Sequence, residues 1–394
     1  QRIITKNFFN NIKNTDLMIQ TLPLENQKYI ERLKIKLGLN IEISKELTIE
    51  KLEKEKKHKI YDINQDKFSD VRVVYMPTIL SKKIEVDDFS KYFRNRFIEL
   101  RNILQEHQEL TNLVSIGKLS GNRQGITLIG IVSNKRTTKN KNILLEMEDL
   151  TGKIFALVNA NKPELFKKAE DLVLDDVIAI KCSGTREMVF INDIVFPDAM
   201  LQERKKSPED VYAAFTGDTH FGSMKFVEDS FLKFVDFLNG KIKTSTEIEK
   251  IKYLFIVGDI VDGVGVYPGQ EKELAIKDVE DQYVQAAEFI GKIRKDIKII
   301  ICPGNHDAVR IMEPQPILNE KYAWSLYELD NVLLTTNPAL VNIAATKDFS
   351  GFNVLLYHGY SYNYYANNVN SLRMNNAYSR PEIMYDSWCP TKTP

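Results

Sequence analysis

Cysteine is scarce in this sequence, and its placement excludes the structures that depend on it. Three cysteines occur in 394 residues, and no two of them lie close together: Cys182, Cys302 and Cys389. An odd number of widely spaced cysteines fits neither a disulfide framework nor a cysteine-based zinc cluster. We therefore expect a reducing, intracellular compartment, the cytoplasm.

Net charge and long apolar runs are lacking too. Lys and Arg number 54, as do Asp and Glu, so the formal net charge is zero and any nucleic-acid signal must be local. No apolar run approaches the roughly 20 residues of a transmembrane helix. The N-terminus QRIITKNFFN lacks a signal-peptide layout, and a chain that starts with Gln predicts a fragment. The length predicts two or three globular domains.

The first 118 residues are predicted to be mostly helical. Residues 1–65 are rich in charge, which predicts solvated helices. Residues 66–118 are a predicted helical linker or docking segment, which contains the amphipathic stretch VDDFSKYFRNRFIELRNILQ (86–105). Its apolar stripe recurs at helical spacing: Phe89, Phe93, Phe97, Leu100 and Leu104. We expect this stripe to pack on the next domain rather than to bind a ligand.

Residues 119–200 change to strand-length apolar runs. A helical segment, PELFKKAEDL (163–172), falls between the third and fourth of five predicted strands. This order is typical of an OB-fold β-barrel. The predicted strands are 126–133, 142–148, 153–159, 176–183 and 188–196.

The loop NKRTTKNKN (134–142) between the first two of these strands is basic. It carries Lys135, Arg136, Lys139 and Lys141, at a place where OB-folds commonly bind single-stranded DNA. A solvated basic turn without a partner is an equally good interpretation of the same residues.

In residues 201–394 buried strands alternate with helices. Helices are predicted near 224–239 and 279–294, and the strands are 211–215, 253–257, 297–302 and 352–357. This alternation predicts an α/β sandwich with largely parallel strands. Ligands of such sheets bind at the carboxyl ends of the strands.

Four polar motifs stand at those strand ends. They are GDTHFGS (217–223), GDIVDG (258–263), GNHDA (304–308) and YHGYS (357–361). A single Asp-x-His is often a cap and a core imidazole, but four such motifs in order predict one shared site. Glycine in each motif lets the backbone turn sharply and bring the side chains together.

The donor types predict a pair of divalent metal ions. Carboxylates offset the repulsion between two cations, and neutral His and Asn complete the coordination. We assign Asp218 and His220 to one ion, Asn305 and His358 to the other, and Asp259 as the bridge. This donor set favours Mn²⁺, with Fe, Zn²⁺ or Mg²⁺ as alternatives.

The series D-x-H, G-D-x-x-D, G-N-H-D and H-G resembles the calcineurin-like metallophosphoesterases. That resemblance implies that His306 acts on the scissile phosphate rather than on a metal, and that Asp307 orients it. The longer motifs GDIVDGVGVYPGQEKEL (258–274), CPGNHDAVRIMEPQP (302–316) and LLYHGYS (355–361) are similar to those of the small subunit of archaeal family D DNA polymerases.

This narrower resemblance covers roughly residues 70–380. It implies a multi-domain α+β protein, in which an OB-fold barrel precedes a calcineurin-like phosphoesterase sandwich that carries a 3′–5′ proofreading exonuclease. The implied partners are the large polymerase subunit, a DNA primer end or single strand, and the sliding clamp. The implied location is the nucleoid within the cytoplasm.

One departure from the family concerns the C-terminal end. Family members complete the site with a G-H-x-H motif, but no histidine follows His358 in this sequence, which predicts a truncated or divergent end. Two alternatives to the exonuclease therefore stay open. One is a stand-alone metallophosphoesterase or repair nuclease, and the other is a non-catalytic scaffold subunit of the polymerase.

Overall fold

The computed structural model describes residues 68–78, 85–198, 205–242 and 246–369. All described residues belong to one compact unit, Asn64–Pro394. The predicted helical region 1–65 lies outside the described residues. Within the described ranges, no helix is both long and apolar enough to cross a membrane.

The amphipathic stretch forms helix α1 (Val86–Gln105), which follows the short strand β1 (Val71–Tyr75). Glu85 and Asp88 form a capping box at its start, in which the Glu85 amide donates to the Asp88 carboxylate at 3.0 Å. The second half of the stripe, with Leu100 and Leu104, is buried against the barrel that follows. The first half stays exposed, so the predicted packing holds for only part of the stripe.

Five strands then form a closed barrel, and one helix connects the third of them to the fourth. They are β2 (Arg123–Thr137), β3 (Ile143–Asp149), β4 (Gly152–Val158), α2 (Pro163–Glu170), β5 (Val177–Gly184) and β6 (Met188–Val195). Around the barrel the order is β2–β3–β4–β6–β5, and β4 with β6 is the parallel pair. Alternate side chains such as Leu128, Leu145 and Ile180 fill its interior. The predicted strands and helix are confirmed, although β2 continues further than expected.

The second half of the described chain is a two-sheet sandwich with helices. Its elements are β7 (Tyr212–Thr216), α3 (Glu228–Leu238), β8 (Ile251–Val257), α4 (Val279–Ile290), β9 (Lys298–Cys302), α5 (Glu320–Tyr327), β10 (Val332–Leu334), β11 (Ala339–Ile343), β12 (Phe352–Leu356) and α6 (Tyr362–Asn368). One sheet is parallel, in the order β10–β9–β8–β7. The other is antiparallel, in the order β1–β11–β12.

Strands β8 and β9 of the parallel sheet are buried on both faces, which explains their continuous apolar runs. Leu254 and Ile256 face the core shared with α3, α4 and α5, whereas Tyr253 and Phe255 face the antiparallel sheet. Strand β1 belongs to that second sheet, where Val71 pairs with Ile343. Part of the segment expected to be a linker therefore completes the sandwich.

This architecture fixes where the polar motifs meet. Strands β7, β8 and β9 are parallel neighbours, so their carboxyl ends open onto one edge of the sheet. Strand β12 of the other sheet ends at Leu356 and brings the fourth motif to the same place. Both sheets thus contribute to one site.

Candidate metal centre

The backbone at the strand ends adopts a conformation that side chains usually avoid. Asp218, His220 and Asp259 have φ values of 50°, 46° and 49°, in the left-handed region. Such residues cost on the order of 1–3 kcal/mol each and persist where the surroundings enforce them, typically at functional sites. Here the turns are clipped together, because the Asp218 and His220 amides donate to the carbonyls of Gly258 and Asp259 at 3.1 and 3.0 Å.

The Asp259 carboxylate lies at the centre of the five predicted ligands. Its Oδ2 is 3.7 Å from Nε2 of His220 and 3.5 Å from Nε2 of His358. Asp218 Oδ1 is 4.0 Å from Nε2 of His220, and Asn305 Oδ1 is 3.0 Å from Nε2 of His358. The structure therefore brings together all five side chains that the sequence nominated, with Asp259 between the two imidazoles.

Each imidazole is anchored through the same ring atom. Nδ1 of His220 hydrogen-bonds the Asp262 carboxylate at 3.0 Å, and Nδ1 of His358 hydrogen-bonds the carbonyl of Val257 at 3.0 Å. Oxygen acceptors at Nδ1 hold a proton on that nitrogen and orient each ring, so Nε2 is the atom that would ligate a metal once it is unprotonated. For both residues Nε2 is the atom nearest Asp259, the arrangement that a metal ligand requires.

The charges of this group depend on one another. Burial alone would raise the pKa of Asp259, but hydrogen bonding and the charge of His358 lower it. Burial alone would lower the pKa of His358, but its contact with Asp259 raises that pKa to about 9. In the absence of metal, the imidazolium of His358 offsets the buried carboxylate. Metal binding at His358 would therefore release a proton.

The ring of His306 lies beside this group, and its backbone amide contacts Asp259. Its amide donates to Oδ1 of Asp259 at 2.8 Å, and its ring centroid is 4.6 Å from that of His220. Its Nδ1 donates to the carbonyl of Asp262 at 2.8 Å, and this bond anchors the ring. The ring is half-buried and so remains accessible.

The expectation that Asp307 orients His306 is wrong. The Asp307 carboxylate accepts hydrogen bonds from the amides of Gly304, Ile260 and Val261 at 2.8, 3.2 and 3.3 Å, and from the Tyr283 hydroxyl at 3.0 Å. Burial raises the pKa of Asp307 to about 6, although the bond from Gly304 opposes the shift. Asp307 therefore ties the second and third strand-end turns together, and the Asp262 carbonyl holds His306.

Sequence reasoning missed Asp262, although it is the second aspartate of the quoted GDIVDG motif. Its carboxylate fixes His220 and its carbonyl fixes His306. Gln270, which is fully buried, donates from Nε2 to the same carbonyl at 2.7 Å. Asp262, His220 and His306 also offer donor atoms within 4.8 Å of one another, so they are a second group that could contact an ion.

Two of the four basic residues of the barrel lie outside the loop that the sequence predicted. Lys135 and Arg136 lie on strand β2, which continues to Thr137. Nζ of Lys135 donates to the carbonyls of Glu170 and Leu172 at 2.6 and 2.8 Å, and burial lowers its pKa. Lys135 therefore caps the end of α2 and is corrected from a DNA contact to a structural residue. Arg136, Lys139 and Lys141 are exposed.

The sandwich and its metal-ligand motifs match a known family. Residues 212–392 match the model described as calcineurin-like phosphoesterase. The match spans strands β7 to β12 of the sandwich and all four strand-end motifs. Calcineurin-like phosphoesterases are metal-dependent hydrolases, which agrees with the cluster of donors around Asp259.

Curated relatives share a longer part of the chain. A DNA polymerase II small subunit of Methanothermobacter thermautotrophicus is 40% identical over 291 residues, which cover 73% of this chain and 59% of the relative. The protein of the same name from Pyrococcus furiosus is 40% identical, with 70% and 45% covered, and that from Pyrococcus horikoshii is 35% identical, with 86% and 54% covered. The resemblance to these archaeal small subunits is confirmed. The chain spans about half the length of these relatives.

Gly304 offers a direct test of how closely the site is packed. A Cβ at this position would overlap the carboxylate and amide of Asp259 and would lie 2.9 Å from Nε2 of His358. Gly304→Ala should therefore displace both side chains and lower Mn²⁺ affinity by at least tenfold in a calorimetric titration.

Gly152→Ala is the matched control for this variant. A Cβ at Gly152 would meet its nearest atom, Cγ2 of Ile116, at 3.6 Å, which is an ordinary contact, and the residue lies on β4 of the barrel, away from the strand-end motifs. Its Mn²⁺ affinity should equal that of the unchanged chain. Unchanged affinity in Gly304→Ala would show that the donors around Asp259 do not bind the ion.

Proposed function

We propose that this chain is the exonuclease-bearing small subunit of an archaeal DNA polymerase and that it hydrolyses DNA phosphodiesters with two divalent metal ions. The observation that carries the proposal is the position of Asp259, whose carboxylate lies between two imidazoles that each face it with Nε2. A carboxylate shared by two sets of donors is suited to hold two cations close together.

The donors divide into two sets around Asp259. Asp218 and His220 would bind one ion, and Asn305 and His358 the other, with Asp259 common to both. Nitrogen and oxygen donors in this mixture suit Mn²⁺, Fe or Zn²⁺ better than Mg²⁺, which prefers oxygen alone. Such ions polarise a phosphate and lower the pKa of water, which supplies the nucleophile for hydrolysis.

His306 supplies a group that acts on the phosphate rather than on a metal ion. Because the Asp262 carbonyl accepts the proton of Nδ1, the ring is held with Nε2 facing outward from its anchor. In this position a protonated ring can stabilise charge on the phosphate or protonate the leaving oxygen. Asp262 thus positions two imidazoles with different tasks, His220 for a metal and His306 for the substrate.

The barrel has the strand order and helix placement expected of an OB-fold, and we assign it to that fold. In this proposal it helps to dock the large polymerase subunit, and its exposed basic residues contact single-stranded DNA. The primer 3′ end is the substrate, the sliding clamp is a further partner, and the complex works at the nucleoid in the cytoplasm. The similarity to archaeal small subunits supports these assignments.

Asp259→Asn tests the bridging role. The substitution removes a charge that would offset the repulsion of two cations, so it should weaken Mn²⁺ binding more than Asp218→Asn, which removes one terminal donor. Calorimetric titration of both variants and the unchanged chain gives the comparison. Equal losses in the two variants would exclude a bridge, and an unchanged chain that binds no metal would favour the scaffold alternative.

His306→Ala tests the division of labour between ligands and phosphate contact. Loss of an acid or charge stabiliser should lower the rate of hydrolysis of a 3′-mismatched primer by about 10²- to 10⁴-fold. Bound metal and thermal stability should stay nearly unchanged. A variant that trims at the original rate would remove His306 from the mechanism, and one that loses its metal would make it a ligand.

The exposed basic residues of the barrel carry a separate prediction. Replacing Arg136, Lys139 and Lys141 with Ala should weaken single-strand binding and reduce the slope of log affinity against log salt by up to about 2, at roughly 0.7 for each lost contact. Lys135→Ala is the contrast, because it should lower thermal stability instead. A salt slope that does not change in the triple variant would indicate a solvated turn.

A further inference from the structure

An exposed aromatic ring stands next to His306 on a neighbouring loop. The ring centroids of Tyr267 and His306 are 6.2 Å apart, with an angle of 62° between the ring planes. Tyr267 is 39% exposed, so a large part of its ring contacts neither His306 nor the rest of the chain. It belongs to the turn GVGVYPGQ (263–270), which follows the second ligand motif.

The turn that carries Tyr267 is held by the same anchor as His306. Gln270 is fully buried, and its Oε1 accepts from the amide of Val266 at 2.9 Å. Its Nε2 donates to the Asp262 carbonyl, which also receives Nδ1 of His306. The distance between Tyr267 and His306 is therefore set by buried hydrogen bonds on both sides and not by a loose loop.

The hydroxyl of Tyr267 is already engaged. It donates to Oε2 of Glu273 at 3.1 Å, and Nζ of Lys225 bonds the same oxygen at 2.7 Å. These contacts fix the far end of the side chain and occupy its polar atom. What Tyr267 offers to a substrate is therefore the face of its ring.

The two loops that carry Tyr267 and His306 expose apolar side chains. Val264, in the same turn, is 51% exposed, and Met312, on the loop that follows His306, is 75% exposed. Arg310 on that loop bonds the carbonyl of Pro314 with its guanidinium, and Lys225 is paired with Glu273. Both cations therefore already have partners within the protein.

We propose that Tyr267 stacks on the base of the nucleotide whose phosphodiester lies at His306. A base is joined to its phosphate by one sugar, so a ring held beside the phosphate-contacting residue is placed to meet it. The inference rests on the proposed function, since it presupposes a phosphodiester at His306. Stacking on a protein ring requires a base that has left the duplex, so Tyr267 selects an unpaired terminal nucleotide over small phosphoesters.

Two oligonucleotides that differ in one base test the inference with the full chain and Mn²⁺. One is a single strand with an ordinary 3′-terminal nucleotide, and the other carries an abasic sugar at that end. Tyr267→Ala should raise KM for the ordinary strand by about 5- to 150-fold, the range of a base–aromatic stack, with little change in kcat. On the abasic strand the same variant should behave like the unchanged chain.

Two further variants separate stacking from other effects. Tyr267→Phe keeps the ring and should retain the original KM. Tyr212→Ala is the matched control, because Tyr212 is 37% exposed and its hydroxyl also bonds a glutamate, Glu247, at 3.1 Å, but it lies at the opposite end of its strand from the ligand motifs. Equal effects of Tyr267→Ala on both strands, or no effect on either, would overturn the inference.

A fluorescent base gives a readout that does not need turnover. Stacking on a tyrosine quenches 2-aminopurine placed at the 3′ end, so binding to the unchanged chain should lower its emission, and Tyr267→Ala should restore it. If neither strand is hydrolysed, the proposed function fails, and the quenching still decides the role of Tyr267. Bound oligonucleotide without quenching overturns the stacking inference even where hydrolysis is normal.

Discussion

A buried carboxylate is the constraint on which the site depends. Asp259 is almost inaccessible to solvent, and an ionised carboxylate in such a place is costly unless hydrogen bonds and opposite charge surround it. The amide of His306 and the imidazole of His358 supply them in the absence of metal. The close approach of Gly304 and Gly258 and the left-handed backbone at Asp259 follow from the need to bring these groups within reach.

A second layer of buried polar groups holds these partners in place. Asp307 gathers amides from two turns, and the hydroxyl of Tyr283 donates to it while accepting from the amide of Ala308. Asp262 hydrogen-bonds the imidazoles of His220 and His306. Gln270 hydrogen-bonds Asp262 and the turn that carries Tyr267. Each of these groups has hydrogen-bond partners within the protein. A buried polar network with its partners in place is rigid, whereas unpaired buried polar groups would destabilise the fold.

The sequence predicted the donors well and their supporting contacts poorly, for a physical reason. Asp218, His220, Asp259, Asn305 and His358 could be predicted because parallel strands end at one edge and each polar residue follows an apolar run. The hydrogen bonds of Asp262 and Asp307 depend on how turns from different strands approach each other. A local sequence pattern does not contain that information. Lys135 was misassigned for the same reason, since its partners lie on a helix end more than 30 residues away.

Long-range pairing limits the prediction of the fold in the same way. The barrel strands that pair are neighbours in sequence or nearly so, and their apolar runs and the turns between them could be recognised in the sequence. Strand β1, by contrast, has five residues and pairs with β11, in the register Val71 with Ile343. Its apolar pattern is too short to indicate a partner so far along the chain, so a linker was the natural interpretation.

The loop that carries His358 is held by Glu313 of the sandwich and, a few residues further on, by a contact with the barrel. The barrel is in this way connected with the predicted metal ligands. Glu313 accepts hydrogen bonds from the amides of Gly359 and Tyr360 at 3.2 Å each, just after His358. Beyond them, Tyr362 of α6 packs against Val173 of the barrel. Because a ligand must be held to within a fraction of an ångström to bind its ion, the barrel is part of what places His358. The two domains therefore act as one support for the site, and the metal centre depends on more of the chain than the sandwich alone.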